Sequence, residues 1–342
     1  MTSRSHLMDG LRVLAAHVIV LHHLASYGPL ADGLAQAAPV LHQVLFDYGR
    51  FATQIFLVMA GYLAAQGLRL QHPASLLLRL RLRYLRLVPP FALAILLVAL
   101  VVALFRPWID QDWLTEPSSL WQWLSHVLLI QDLVGQPSMT VGAWYVAIDF
   151  QLFLVLSLVG WGVARAGAGP GVLVTVVALL CLMSQWFFNR DPGADIWAGY
   201  FLESYGVGAL LAWARVQAPT AAAARAWLGV CLASALLAGW LYPRPRLWLT
   251  VVVCLALYAW AERWHPDARC SAWLQRHSDT SYALFLTHFA PLVVGNALWI
   301  RSGTDSPVWC VTLLLLTWGA CIGLAVIFHR SVETLMRKAW RR

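Results

Sequence analysis

The 342 residues are 60% hydrophobic and 12% charged, with a mean hydropathy of +0.66, against roughly 25% charge in an ordinary soluble domain. That excludes a water-soluble fold. The formal charge of +8 is not gathered in a basic arm interleaved with aromatics, so nucleic acid is not an expected partner.

The expected partner is a lipid bilayer. A bilayer core takes about 20 apolar residues per helix, and runs of that kind lie at 10–28, 49–70, 88–106, 142–164, 171–188, 198–214, 226–242, 246–261, 280–300 and 307–329. The 19 tryptophans suit many crossings of the interface, where indole rings accumulate. The predicted fold is therefore all-α, a polytopic transmembrane bundle of about ten helices forming a single domain over 1–342. The first run contains Arg12, His17, His22 and His23 and is followed by no small-residue cleavage site, so it is expected to stay attached rather than act as a signal peptide. The segment 107–141 breaks the pattern. Its apolar stretch, Leu120 to Leu133, is short and contains His126, Gln131 and Asp132, which predicts an external interfacial or re-entrant segment.

With that segment outside, 18 of the 24 basic residues fall on one side, and the other six, Arg50, Arg106, Arg190, Arg244, Arg246 and Arg301, fall opposite. The positive-inside rule then places both termini in the cytosol. The six cysteines show no CxxC pair, so they are read as small core residues and neither a disulfide framework nor a metal site is expected.

A charge in mid-bilayer costs at least about 2.5–3.5 kcal/mol on insertion scales, so each buried polar residue is a functional candidate. In LMDGLRVLAAHVIVLHH, Arg12 and His23 are eleven positions apart, which at about 100° per residue returns to within roughly 20° of the same helix face. Asp9 lies near that stripe, and His22 is displaced by about 80°. An imidazole in a dry cavity can take a proton from an attacking hydroxyl, and a guanidinium can grip phosphate through two hydrogen bonds. The plainer alternative is that His23 bonds a neighbouring helix and Arg12 snorkels to the headgroups. In LLRLRLRYLRLVPPF, Arg83 and Arg86 share a face ahead of Pro89 and Pro90, read as a helix start. They suit coenzyme A phosphates, or with Arg79 and Arg81 an anionic lipid surface. Asp149, deep in the fourth run, needs a cation or a proton, with His23 or an arginine as natural partner. His288 and Glu203 pose the same question and can serve simply to join helices.

Taken in order, these segments resemble the acyltransferase 3 family of integral-membrane O-acyltransferases. DGLRVLAAHVIVLHH resembles its signature of an Arg and a His separated by ten residues, here Arg12 and His23. FLVMAGYL at 56–63 is similar to its second-helix segment, and RYLRLVPP to its Arg-x-x-Arg box, which implies Arg83 and Arg86. WYVAIDFQLFL, TSYALFLTHFAPL and HRSVETL resemble its later boxes. Asp149 and Phe150 stand where the family usually has a Glu pair, and Ala60 replaces its Ser.

The resemblance implies an acyl-coenzyme A donor, usually acetyl-CoA, and a glycan, polysaccharide or lipid-linked sugar as acceptor, in the bacterial cytoplasmic (inner) membrane. Polysaccharide-biosynthesis proteins are possible partners. It further implies that Arg12, Arg83 and Arg86 hold donor phosphates, and that His23 is the general base, oriented or charged by Asp149. No esterase-like domain is appended, so the membrane domain is expected to finish the transfer or hand it on. The competing expectation is a transporter or flippase of a lipid-linked sugar, which discontinuous helices in inverted repeats would favour; the sequence suggests none.

Overall fold

The computed structural model describes residues 5–68, 76–109, 113–114, 119–216 and 220–339, and among these every regular element is helical. In chain order the helices are α1 (His6–Leu24), α2 (Pro29–Ala37), α3 (Pro39–Tyr48), α4 (Thr53–Gly67), α5 (Leu76–Phe105), α6 (Leu120–Val127), α7 (Ala143–Arg165) and α8 (Pro170–Trp186). They continue with α9 (Ala198–Arg215), α10 (Ala221–Leu241), α11 (Pro245–Trp260), α12 (Ala268–Thr287), α13 (Phe289–Ser302), α14 (Pro307–Phe328) and α15 (Thr334–Ala339).

Each of the ten predicted runs contains a helix. Six helical stretches, built on α1, α5, α7, α8, α10 and α14, are long and apolar enough to cross a membrane, and α12 with α13 makes a seventh if the pair counts as one span. The chain is thus an all-helical, multi-pass membrane protein. On α5, Leu93, Leu96, Leu100 and Leu104 are exposed while Phe91, Ala94, Ile95, Val98 and Val102 are buried. A helix apolar on both its packed and its open face is dissolved in lipid, not water. By contrast α9 is buried continuously from Tyr200 to Ala214, so it needs no lipid-facing leucines and carries Glu203 and Ser204 instead. Five of the six cysteines are buried.

Two expectations change in detail. Pro89 and Pro90 do not start a helix; they lie inside the 30-residue α5. Without N–H groups there, the carbonyls of Leu85 and Arg86 lose their intrahelical donors, and the Tyr282 hydroxyl donates to the neighbouring carbonyl of Leu87 at 2.9 Å. The run 280–300 is broken: α12 and α13 meet at a 59° bend. Pro291 explains it, since its ring opposes the carbonyl of Thr287 four residues back and supplies no hydrogen bond to it. A discontinuous helix therefore exists where the sequence suggested none. Of the cations sorted above, Arg4, Arg69, Arg341 and Arg342 lie outside the described residues.

Contacts divide the chain into two compact units. The first comprises 1–8, 53–85 and 147–267. Its tightest seam joins α4 and α9, where Gly61 lies against the backbone of Tyr205 and Gly208 against the backbone of Val58, leaving no room for a Cβ at either. Small residues that let backbones touch are how helices associate where lipid removes the hydrophobic drive. Ala235, Ala238, Leu247 and Val251 form a core between α10 and α11.

The second unit comprises 9–52, 86–146 and 268–342. Ala25, Leu30, Leu34, Trp299, Cys310 and Leu313 form one of its cores. Within 107–141, α6 has only eight residues, with Ser119 accepting from Gln122 N–H as its N-cap, too few to cross a bilayer. The segment ties back on itself: Gln122 Nε2 donates to Pro137 O at 2.8 Å, and Met139 N–H donates to His126 Nε2 at 3.0 Å.

Candidate active site

Two buried polar clusters hold most of the predicted residues, one in each unit. In the second unit, α1 carries Asp9, Arg12 and His23. Asp9, 2% exposed, sits in the first turn of the helix, where a carboxylate suits the helix dipole, and accepts from Ser278 Oγ at 2.7 Å. Arg12 is half-buried. At the other end His23, 7% exposed, places Nδ1 2.7 Å from Nε2 of His288. The two rings stack at 4.9 Å and 11°. Contacts at both ends, Asp9 with Ser278 and His23 with His288, mean that α1 and α12 run parallel, side by side.

The turn after α1 is pinned firmly. Gly28 has φ +82° and its Cα faces Asn296, which only glycine tolerates without strain. Asn296 then accepts from Leu30 N–H at 2.9 Å and donates to Tyr27 O at 3.2 Å, so α13 holds the chain immediately after the histidine. Tyr27 packs edge-on to the His23 ring at 5.7 Å. Besides His288, the His23 ring makes no hydrogen bond to any described residue, which leaves Nε2 for a reacting group. His22 is otherwise engaged, with Nδ1 2.9 Å from the carbonyl of Leu45.

In the first unit, Arg83 Nη2 donates to Asp149 Oδ2 at 2.5 Å, with side chains 21% and 6% exposed, and the guanidinium lies 5.3 Å from the centre of the Phe153 ring. The cation that Asp149 takes is thus an arginine, one of the two partners open to it, while His23 takes a histidine. Among the described residues Asp149 Oδ1 has no hydrogen-bond partner. Arg86, three residues along α5 and assigned to the second unit, is exposed.

Glu203 is 1% exposed and serves a junction. Ser204 Oγ lies 2.5 Å from its Oε2, 2.6 Å from Gln54 Oε1 and 2.8 Å from Thr250 Oγ1, so α4, α9 and α11 meet there. Sequence reasoning missed the neighbouring Arg246, which sorts with the external loop cations yet is 6% exposed, bonded to Asn189 Oδ1 and laid over the Tyr200 ring at 3.2 Å. It also missed Ser278 and Asn296. Ser278 lies ten residues before His288 whereas Asp9 lies fourteen before His23, so no shared spacing marked the serine. Among the described residues no three His, Cys, Asp or Glu side chains gather as a metal site requires.

The family model described as an acyltransferase domain matches residues 6–328, spanning both clusters and the elements between. The chain belongs to the acyltransferase 3 family. Membership makes it an acyltransferase, and the family suggests acyl transfer to a hydroxyl. Curated proteins and solved structures gave no match.

Proposed function

We propose that this acyltransferase 3 protein moves an acyl group, acetyl in the simplest case, from acyl-coenzyme A to a hydroxyl of a glycan, polysaccharide or lipid-linked sugar. The observation that carries the reading is a buried histidine, His23, with one ring nitrogen tied to His288 and the other unbonded. That is the arrangement of a general base. As the acceptor oxygen attacks the thioester carbonyl, Nε2 takes its proton. The tetrahedral intermediate then collapses, the C–S bond breaks, and the departing thiolate recovers the proton from the imidazolium, giving an ester and free coenzyme A.

Arg12, Arg83 and Arg86 are proposed as contacts of the donor's phosphates. The support is guanidinium chemistry and their place in the family boxes. Asp149 serves as the counterion that fixes the Arg83 fork rather than as a second proton acceptor. Ten crossings with both termini in the cytosol of a bacterium's inner membrane complete the proposal, supported by the charge sorting.

The test is labelled acetyl-coenzyme A given to purified protein in lipid. Slow thioester hydrolysis that disappears in His23→Ala supports the enzyme. The second reading, a transporter of a lipid-linked sugar, draws on the broken α12–α13 pair, a feature of transporter substrate sites. It requires that vesicles translocate the lipid while the thioester stays intact.

A further inference from the structure

The hydrogens of the His23–His288 pair can be assigned by following one chain of contacts. His288 is fully buried. Its Nδ1 lies 2.8 Å from the carbonyl of Phe285 and 3.2 Å from that of Leu284. Carbonyl oxygens only accept, so Nδ1 carries the hydrogen. A second hydrogen on Nε2 would make a buried imidazolium, and among the described residues no carboxylate hydrogen-bonds either ring, so that charge would be uncompensated. His288 is therefore neutral, with a bare Nε2. That bare nitrogen faces His23 Nδ1 at 2.7 Å, and a contact so short needs one hydrogen between the two atoms. It must sit on His23 Nδ1. Neutral His23 then has its lone pair on Nε2, the nitrogen without a partner.

We propose that His288 is a positioning residue for the transfer reaction: it accepts from His23 Nδ1 and so holds the base in the one tautomer whose free nitrogen can take a proton. This rests on the reading of His23 as the general base. In many hydrolytic sites a carboxylate does this work; here a neutral ring does, and its own tautomer is fixed by two backbone carbonyls. Those carbonyls belong to the last turn of α12, beside its 59° bend with α13. The Cys321 thiol, 3.4 Å from the carbonyl of His288, and the stacked rings hold the geometry further. The proton removed from the acceptor hydroxyl has no carboxylate to pass to. It stays on the two rings, and the thiolate formed in the same reaction is the group left to receive it.

Two measurements decide it. In ¹⁵N-histidine-labelled protein in lipid, with His23 assigned by its loss in His23→Gln, wild type should show His23 protonated on Nδ1 and bare on Nε2 at neutral pH. A hydrogen on Nε2 overturns the proposal. In kinetics, His288→Ala should lower kcat by about 10²-fold or more at unchanged KM for the donor, the range over which general-base catalysis contributes. His288→Gln, whose amide oxygen accepts at about the same point, should recover most of the rate and keep the Nδ1–H signal of His23. Equal loss in Ala and Gln variants at equal membrane yield, or full activity in His288→Ala, overturns it. If transfer survives in His23→Ala while the wild-type signal is as expected, the general-base reading fails and the hydrogen assignment stands.

Discussion

Arg83 and Asp149 form a charge pair with a single short contact, Nη2 to Oδ2 at 2.5 Å, inside a largely apolar unit. Removing one partner of such a pair leaves the other charge buried without compensation, typically at about 3–5 kcal/mol. Arg83 keeps 21% of its side chain exposed, which points to the lower end. Asp149→Asn and Arg83→Gln alone should each lower the unfolding midpoint in detergent clearly, and the double variant should be less damaged than the sum. Strict additivity would show that the pair is not coupled.

The same pair bears on the donor. Arg83→Ala and Arg86→Ala should each weaken acyl-coenzyme A binding, by about 1.5–3 kcal/mol for a lost charge-assisted bond, with Arg79→Ala doing much less. Asp149→Asn should weaken it too, because the Arg83 fork loses its anchor. Calorimetric titration of the three arginine variants checks this, and equal effects at all three would mark a generic anionic-lipid surface.

The α4–α9 seam gives a prediction about folding. A Cβ at Gly61 would meet the carbonyl of Tyr205, and one at Gly208 the carbonyl of Val58. Backbone cannot swing aside as a side chain can, so Gly61→Ala and Gly208→Ala should each cost about 1–3 kcal/mol or more. Gly67, with nothing within 4 Å, is the control, and Gly67→Ala should express and melt like wild type. Thermal melts of the three variants in one detergent settle the comparison.

These examples also show how far the sequence reaches. Arg12 and His23 fall on one stripe because helical periodicity alone maps them there, and apolarity alone marks α5, α10 and α14. The pairing of Arg83 with Asp149, 66 residues apart, is open in sequence because an intramembrane carboxylate accepts any cation, and Arg and His are both at hand. The bend at His288 has a visible cause in Pro291, yet Pro89 and Pro90 sit inside a continuous helix. Whether a proline breaks or merely strains a helix depends on what packs beside it. Arg246 reads as a loop cation because it is one residue into α11; its burial comes from Tyr200 and Asn189, which no local pattern connects to it.

His126 predicts a pH dependence outside the spans. Met139 N–H donates to its Nε2 and Nδ1 faces the carbonyl of Gln122 at 2.8 Å, so the fold uses the neutral ring. Burial lowers its pKa below the usual 6.5, against a smaller opposing effect of the Gln122 carbonyl. Below pH 6.5 the unfolded chain therefore binds the proton more readily than the folded one, and stability falls as pH drops, by at most about 1.4 kcal/mol per unit from this group. His126→Gln should flatten the change in unfolding midpoint between about pH 7.5 and 5.5. An unchanged slope would assign the effect elsewhere.

The adjacent histidines on α1 give the sharpest contrast. His22 spends its Nδ1 on the Leu45 carbonyl at 2.9 Å, with Ser26 Oγ at 3.4 Å, and so fastens α1 to α3. His23 spends its Nδ1 on His288 and keeps Nε2 unbonded. His22→Ala should lose one hydrogen bond, about 1 kcal/mol of stability, and retain substantial transfer activity. His23→Ala should lose about 10²–10⁴ in rate, the usual worth of a general base, while the protein still inserts and melts near wild type, since deleting a neutral ring breaks only the bond to His288. Acylation measured at matched membrane yield separates the two. A dead His22→Ala beside an active His23→Ala would reverse the face of α1 that does the chemistry and with it the alignment of this helix to the family signature.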